Sequence, residues 1–331
     1  MRPADGTVLT EQEYLDRIDP ELAAVLPGLP PVDLTDIAAA RERRAALSAA
    51  ARARTASDIR VVTEEREIPT SSGSGPVRVR CHRPADQVGL LPCLYWIHGG
   101  GHVLGEVVQD DPLMEHLVTV LPCVTVSVDW RRAPEHPYPA AIEDCRVGLR
   151  WVFSNADGLQ IDAQRIAVGG ASSGGGLAAG LVLLSRDTGD RMPCFQLLIY
   201  PMLDDRNHTR SSHAARHRQL WNRSANQIAW RAYLGYESAS ATEVPYYAAP
   251  ARATNLNGLP ATFIATGDLD AFLDEDVVYA QRLCTANVPL ELHVYPGAFH
   301  GFDFLAPESA LSRQFAEDRD QAIRRAFRTI T

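Results

Sequence analysis

The spacing of apolar positions along the chain lays out its elements. Short apolar runs bounded by turn residues predict strands at Arg60–Ile68, Val77–His82, Leu91–Ile97, Val124–Val128, Ile166–Val168, Phe195–Ile199, Thr262–Ala265 and Leu290–Val294. Between most of the later runs the apolar spacing lengthens to three and four residues. That predicts helices at Leu113–Val120, Ala140–Phe153, Leu177–Ser185, Asp274–Ala286 and Ser309–Phe327. Strands alternating with helices imply an α/β fold, with a mostly parallel sheet covered on both faces. The first two strands have no helix between them, so they predict an antiparallel edge. The chain ahead of them reads as helical, then broken at Pro27, Pro30 and Pro31, then as an Ala/Arg-rich helix over Asp36–Arg54. Its run Arg41-Glu42-Arg43-Arg44 reads as a solvated helix face.

One block breaks the alternation. Between Ile199 and Thr262 lies a long stretch holding Trp221, Trp230, Tyr233, Tyr236, Tyr246 and Tyr247. A structureless loop of that length is out of keeping with a compact domain. Ser224-Ala-Asn-Gln227 fits a capping box, and Gly235 sits where such a helix would stop. The block therefore reads as a helical insertion at the carboxyl edge of the sheet, where α/β folds bind ligands. Its aromatics either pack the insertion onto the core or contact a substrate. Trp221, Trp230 and Tyr233 are the candidates for contact.

Bulk properties narrow the function classes. With 331 residues, 46% hydrophobic and 22% charged, the chain is sized for one large core, or a core with a small accessory part. A net charge of −9 gives no electrostatic reason to seek nucleic acid or anionic lipid. No stretch approaches the roughly 18 apolar residues of a membrane span. Met1–Asp19 is polar and acidic, without the pattern of a signal peptide, so a cytoplasmic location is expected. Six cysteines, Cys81, Cys93, Cys123, Cys145, Cys194 and Cys284, show no C-x-x-C spacing. They are expected to be free buried thiols, with no metal site.

The candidate chemistry centres on Arg165–Leu184, R-I-A-V-G-G-A-S-S-G-G-G-L-A-A-G-L-V-L-L. Strand-like residues run into G-x-S-x-G centred on Ser172, and an apolar helical run follows. By itself the motif is weak; the strand before and the helix after give it meaning. So tight a turn needs small residues two positions either side of the serine, because a Cβ there would clash. It projects the hydroxyl above the sheet edge and aims a helix N-terminus at whatever the hydroxyl attacks. The rival readings are a glycine-rich turn with a capping serine and a phosphate loop, which lacks its lysine and its glycine spacing here. Ser173 is out of frame for the nucleophile, with Ala171 two residues upstream, and reads as a backbone N–H donor.

His98-Gly-Gly-Gly101 directly follows an apolar strand. Successive glycines leave backbone N–H groups unshielded, as an oxyanion hole requires. His98 reads as a brace for this loop, and Gly105 as the point where the loop turns away. In α/β hydrolases an acid and then a histidine follow the serine. Asp268, Asp270 and Asp274 compete for the first role on the loop after Thr262–Ala265. His300 lies on a Pro/Gly-marked loop after the last strand, in the position the order demands; His208, His213 and His217 cluster in a polar loop.

With these motifs in order, the chain resembles the hormone-sensitive-lipase family of α/β-hydrolase esterases, bacterial family IV, from about residue 60 to its end. The likeness rests on His98-Gly-Gly-Gly101, Asp129-Trp-Arg-Arg-Ala-Pro-Glu-His-Pro-Tyr-Pro139, Gly170-Ala-Ser-Ser-Gly-Gly175, the Asp270 loop and His300-Gly-Phe302. It implies Ser172 as nucleophile, Asp270 as acid and His300 as base. It also implies an oxyanion hole from the N–H groups of Gly100, Gly101 and Ser173, and a cap over the site. The implied division is a cap segment over 1–57, core over 58–202, a cap insertion over 203–256 and core again over 257–331. Where the family has G-D-S-A-G-G, this chain has Ala171 and Ser173; where the family has D-Y-R-L-A-P-E, it has Trp130 and Arg132. D-P-L-R-D-E appears as Asp270-Ala-Phe-Leu-Asp274-Glu275, and that alignment selects Asp270. The expected activity is hydrolysis of small carboxylic esters of short to medium acyl chain, without metal or organic cofactor. An amidase or deacetylase with the same triad is the rival enzyme. A non-catalytic receptor on the same scaffold should have lost a triad member. Monomer and homodimer both stay open.

Overall fold

The structure, a computed structural model, describes residues 9–54, 60–70, 75–235 and 243–328. In chain order it has α1 (Glu11–Leu15), α2 (Pro20–Ala23), α3 (Ile37–Arg54), β1 (Val61–Ile68), β2 (Val77–Pro84), β3 (Leu91–Ile97), α4 (Asp111–Val120) and β4 (Val124–Asp129). There follow α5 (Ala140–Ser154), β5 (Ile161–Ala171), α6 (Ser173–Thr188), β6 (Phe195–Ile199), α7 (Arg210–Ala214) and α8 (Arg223–Leu234). The chain closes with β7 (Ala261–Gly267), α9 (Leu273–Thr285), β8 (Leu290–Tyr295), α10 (Phe302–Leu305) and α11 (Ala310–Arg328). The eight strands among the described residues form one sheet in the order β1-β2-β4-β3-β5-β6-β7-β8. β1 and β2 make an antiparallel edge, β2 joins β4 antiparallel, and the rest is parallel.

Side-chain alternation separates the two faces. Leu94 and Trp96 of β3 pack with Met114, Leu117, Phe315 and Ile323, under α4 and α11. Their neighbours Tyr95 and Ile97 pack on the opposite face with Leu149, Val152, Leu177 and Leu181 of α5 and α6. Both faces are buried, which is why these strands read as unbroken apolar runs.

Register then gathers the chemistry. Ile97 pairs with Gly170, Ala171 with Ile199, Ile199 with Ala265 and Gly267 with Tyr295. The carboxyl ends of β3, β5, β7 and β8 thus finish on one edge, and the loops carrying His98, Ser172, Asp270 and His300 leave from it.

Several boundaries move from their expected places. β5 begins at Ile161, earlier than the apolar run Ile166–Val168 indicated, with an irregular register between Leu91 and Cys93. α6 begins at Ser173 and not at Leu177, so three glycines lie inside its first turn. Glycine is a poor helix former, but packing prevails here: a Cβ on Gly174 would lie 2.1 Å from the Ile97 oxygen, and one on Gly176 2.1 Å from the Met202 oxygen. In the insertion, Asn222 and not Ser224 caps α8, accepting from the Ala225 N–H at 3.0 Å. Gly235 ends that helix as expected, at φ +81°. Tyr236 lies outside the described residues, as does the expected boundary at residue 57. The six cysteines are free, but Cys284 is exposed and Cys194 half-buried: Cys284 falls on the outward face of the last turn of α9, where Leu283 takes the inward one, and Cys194 stands just ahead of β6.

Candidate active site

Ser172 stands between β5 and α6 with φ +57° and ψ −124°, a strained conformation for a side-chain-bearing residue. The surrounding backbone holds it there. Its N–H donates to the Ile199 carbonyl at 2.9 Å, and its own carbonyl accepts from Gly176 and Met202, each at 3.0 Å. The small flanking residues are required: a Cβ on Gly170 would lie 2.3 Å from the Gly174 oxygen and 2.7 Å from that of Ile97.

The hydroxyl of Ser172 lies 2.9 Å from Nε2 of His300, and Nδ1 of the same ring lies 2.8 Å from Oδ2 of Asp270. Asp270 is buried, and its other oxygen accepts from the Phe272 N–H at 2.9 Å, which fixes the carboxylate plane. The imidazole is flanked edge to face by Tyr200 at 4.7 Å and Phe272 at 5.0 Å. Of the three competing aspartates only Asp270 reaches the histidine. Asp268 pairs with Arg17 at 2.5 Å and accepts from the Gly297 N–H at 2.7 Å. Asp274 accepts from the Ser211 N–H at 2.8 Å.

The glycine loop after β3 runs beside the serine. Gly100 and Gly101 have φ +138° and +59°, angles at which a Cβ is strained. A Cβ on Gly99 would lie 2.7 Å from the Ala171 oxygen, and one on Gly101 would enter the Trp221 ring at 2.1 Å. Among the described residues, the amides of Gly100, Gly101 and Ser173 donate to no backbone acceptor. His98 does brace the loop, with Nδ1 2.9 Å from the Gly99 oxygen and its ring stacked on Trp130 at 4.7 Å. Burial pushes the His98 pKa down to about 4, so at neutral pH this ring carries no charge. Gly105 turns at φ +87° in space that no side chain could share.

A cavity of about 600 Å³ opens over Ser172 and His300. Trp221 lines it, as do Leu29, Leu47 and Ala51 from the N-terminal segment. Trp230 and Tyr233 do not line it. They are buried away from it, against His102, because their helix turns that face toward the core. Among the described residues no group of three or more His, Cys, Asp and Glu is placed to hold a metal, and no helix is long and apolar enough to cross a membrane.

Two arginines refute the solvated-face reading of α3. Arg41 donates to the carbonyls of Val103 and Ala133 at 2.7 and 2.8 Å and grips Glu135 through both terminal nitrogens, each at 2.7 Å. Arg44 lines the cavity with its guanidinium 4.4 Å above the Phe304 ring. The available signal was their spacing: Arg41, Arg44 and Leu47 share one helix face with Ala40. Glu275 was also missed. This buried acid accepts from the N–H groups of Leu203 and Asp204 at 2.7 and 3.1 Å, tying the start of the insertion to α9, and burial holds its carboxyl well above the usual range.

Comparison with known proteins agrees with this architecture. Residues 94–304 match the model of an alpha/beta hydrolase fold family. The carboxylesterase NlhH of Mycobacterium tuberculosis is 37% identical over 237 residues, covering 70% of this chain and 72% of that protein. The esterase LipI of the same organism is 33% identical over 304 residues, covering 86% and 88%. Among solved structures, a bacterial heroin esterase superposes with a TM-score of 0.92 at 41% identity, over 95% of this chain and 99% of that one. The esterase LipW from Mycobacterium marinum gives 0.84 at 38% identity, over 97% and 98%. The chain belongs to the α/β-hydrolase family, in its hormone-sensitive-lipase-like branch of serine esterases.

Proposed function

We propose that this chain hydrolyses carboxylic esters of short to medium acyl chain through an acyl-enzyme on Ser172. One observation carries the reading: a single imidazole, that of His300, bridges the Ser172 hydroxyl at 2.9 Å and the buried Asp270 carboxylate at 2.8 Å. Nε2 takes the proton as the oxygen attacks the ester carbonyl. Asp270 holds the tautomer with its proton on Nδ1 and stabilises the imidazolium that forms. The amides of Gly100, Gly101 and Ser173 receive the oxyanion, with the N-terminus of α6 adding its positive end. His300 returns its proton to the leaving alcohol; water then attacks the acyl carbon by the same route in reverse and frees the acid. Besides the ester and water, each step draws on side chains and backbone of this chain.

The segments 1–57 and 203–256 act in this reading as the cap. Leu29, Leu47 and Ala51 from the first and Trp221 from the second line the cavity over the serine. An apolar acyl chain gains about 0.8 kcal/mol per methylene buried there, and the gain ends where the cavity ends. Rates on p-nitrophenyl esters should therefore rise from acetate to about hexanoate and then fall.

The test is a pair of variants. Ser172→Ala should reduce ester hydrolysis to near background, whereas Ser173→Ala should cost little, because its contribution is a backbone N–H. An organophosphate should add its mass to the peptide bearing Ser172. Equal losses in both variants, or label on Ser173, would place the nucleophile elsewhere.

A further inference from the structure

The glycine loop does not end at Gly101. His102 follows it, fully buried, with φ +64°. A non-glycine residue in the left-handed region is strained and persists only where its surroundings over-determine it. Those surroundings are rings. The imidazole of His102 lies face to face on Tyr233, with centroids 3.7 Å apart and planes within 5°. Trp230 leans on it at 5.4 Å, and Trp130 meets it edge-on at 6.3 Å. Trp130 in turn stacks on His98 at the other end of the loop.

The stack is held by ring faces and not by hydrogen bonds. Neither nitrogen of His102 has a partner among the described residues, and burial pushes its pKa down to about 3, so the ring is neutral. The main chain completes the clamp. The Ala133 N–H donates to the His102 carbonyl at 3.0 Å, and the Tyr138 N–H donates to the Tyr233 carbonyl at 2.6 Å. His102, Trp230 and Tyr233 all lie off the cavity, so none of them contacts substrate.

We propose that His102, Tyr233 and Trp230 are positioning residues: through this stack α8 of the insertion holds the Gly100 and Gly101 amides in place for the oxyanion. The proposal rests on the oxyanion-hole reading of the glycine loop. If the ring contact is lost, His102 relaxes from its left-handed angle, and the chain ahead of it, which carries the Gly101 and Gly100 amides one and two peptides upstream, shifts with it. Amide donors act where charge develops, so their displacement weakens the transition state more than the bound ester. The loss should fall on kcat and leave KM nearly unchanged.

The experiment compares Tyr233→Leu and His102→Ala with Tyr233→Phe and His102→Phe, each assayed well below its own Tm on p-nitrophenyl acetate and hexanoate. Removing one oxyanion donor outright costs about 10²–10³ in kcat, so a displaced donor should cost about tenfold. That factor is expected in Tyr233→Leu and His102→Ala, the same on both esters, with KM within about twofold. The inhibition constant of a trifluoromethyl ketone, whose tetrahedral adduct uses the same amides, should rise in parallel. The Phe variants keep the ring faces and should recover most of the activity. If Tyr233→Leu does not fold, His102→Ala carries the same readout. Lower Tm with unchanged kcat overturns the proposal, because the stack is then only packing. So does a loss that depends on acyl length, which would mean substrate contact. Failure of the ester-hydrolase reading is separate: it would show as equal rates for the parent chain and Ser172→Ala.

Discussion

The two loops beneath the site and the insertion beside it are built on opposite principles. At the loops, glycines bring backbone against backbone, and an added Cβ on Gly170 or Gly174 would lie 2.3 or 2.1 Å from a carbonyl oxygen. Side-chain freedom there is close to nil, so residue type reports position directly. In the insertion, large rings fill space, and a ring can serve a core face or a cavity face equally well. Trp221 has its ring at the cavity and 6.3 Å from His300, with its indole donating to the Asn226 side chain at 3.2 Å. Trp230, on the same insertion, is buried against His102. Two tryptophans in one insertion thus do different work, and only the three-dimensional packing tells them apart.

The sharpest test of the loop side of this contrast is the acid. Asp270 and Asp268 stand two residues apart on one loop, yet only Asp270 meets His300, while Asp268 meets Arg17 and Gly297. Asp270→Asn should lower kcat by roughly 10⁴, the scale of a triad that has lost its orienting carboxylate. Asp268→Asn should leave kcat within about tenfold of the parent, since its loss frees a partly exposed ion pair. Steady-state kinetics on one p-nitrophenyl ester decides the matter. Were Asp268→Asn the more damaging, the contrast between sterically dictated loops and freer insertion would break at its firmest point.

Legibility follows the same division. The strands β3, β4, β6 and β7 stand close to where apolar runs placed them, because strands buried on both faces leave no room for polar residues. Ser172 and His300 were legible from order and turn residues, Asp270 only through the alignment to the resembled family, and the structure brings these three together. The start of α6 was hidden because glycines argue against helix locally and for close packing globally. The cap of α8 was misplaced because Asn222 and Ser224 are both good capping residues, and only the Ala225 contact separates them. Arg41 and Arg44 looked like solvated charge because their run reads as a block until its spacing with Ala40 and Leu47 is followed. That spacing marks the inward face, but their partners, Glu135 and the cavity, come only from tertiary contacts.

On the insertion side, a smaller effect should separate the two tryptophans. Trp221→Ala enlarges the cavity beside Ser172, so decanoate hydrolysis should gain on butyrate by about tenfold, the worth of roughly two buried methylenes. Trp230→Ala empties a buried site away from the cavity. It should lower stability by about 3 kcal/mol and leave the butyrate-to-decanoate ratio as it was. Both ratios come from the same ester series and both stabilities from thermal melts. A shifted ratio in Trp230→Ala would erase the distinction drawn between these rings.

The smallest expected effect lies on the cavity wall that belongs to neither region. Asp110 lines the cavity, and its Oδ2 accepts from the Trp96 indole at 2.6 Å. Burial pushes its pKa up to about 6, against the opposing pull of the indole bond and of Arg44. Since the folded pKa exceeds the unfolded value of about 3.9, the folded state binds this proton more tightly. The contribution is therefore fully present below pH ~4 and is lost as pH rises through about 6. Asp110→Asn retains an acceptor oxygen for Trp96 and removes the titration. The Tm of the variant minus that of the parent should then grow between pH 4 and 7, by about 1–2 °C for a difference near 1 kcal/mol. Because other groups titrate alike in both proteins, the difference isolates Asp110. A Tm difference that stays flat across that range would mean the carboxylate is ionised without cost, with Arg44 compensating it fully across the cavity wall.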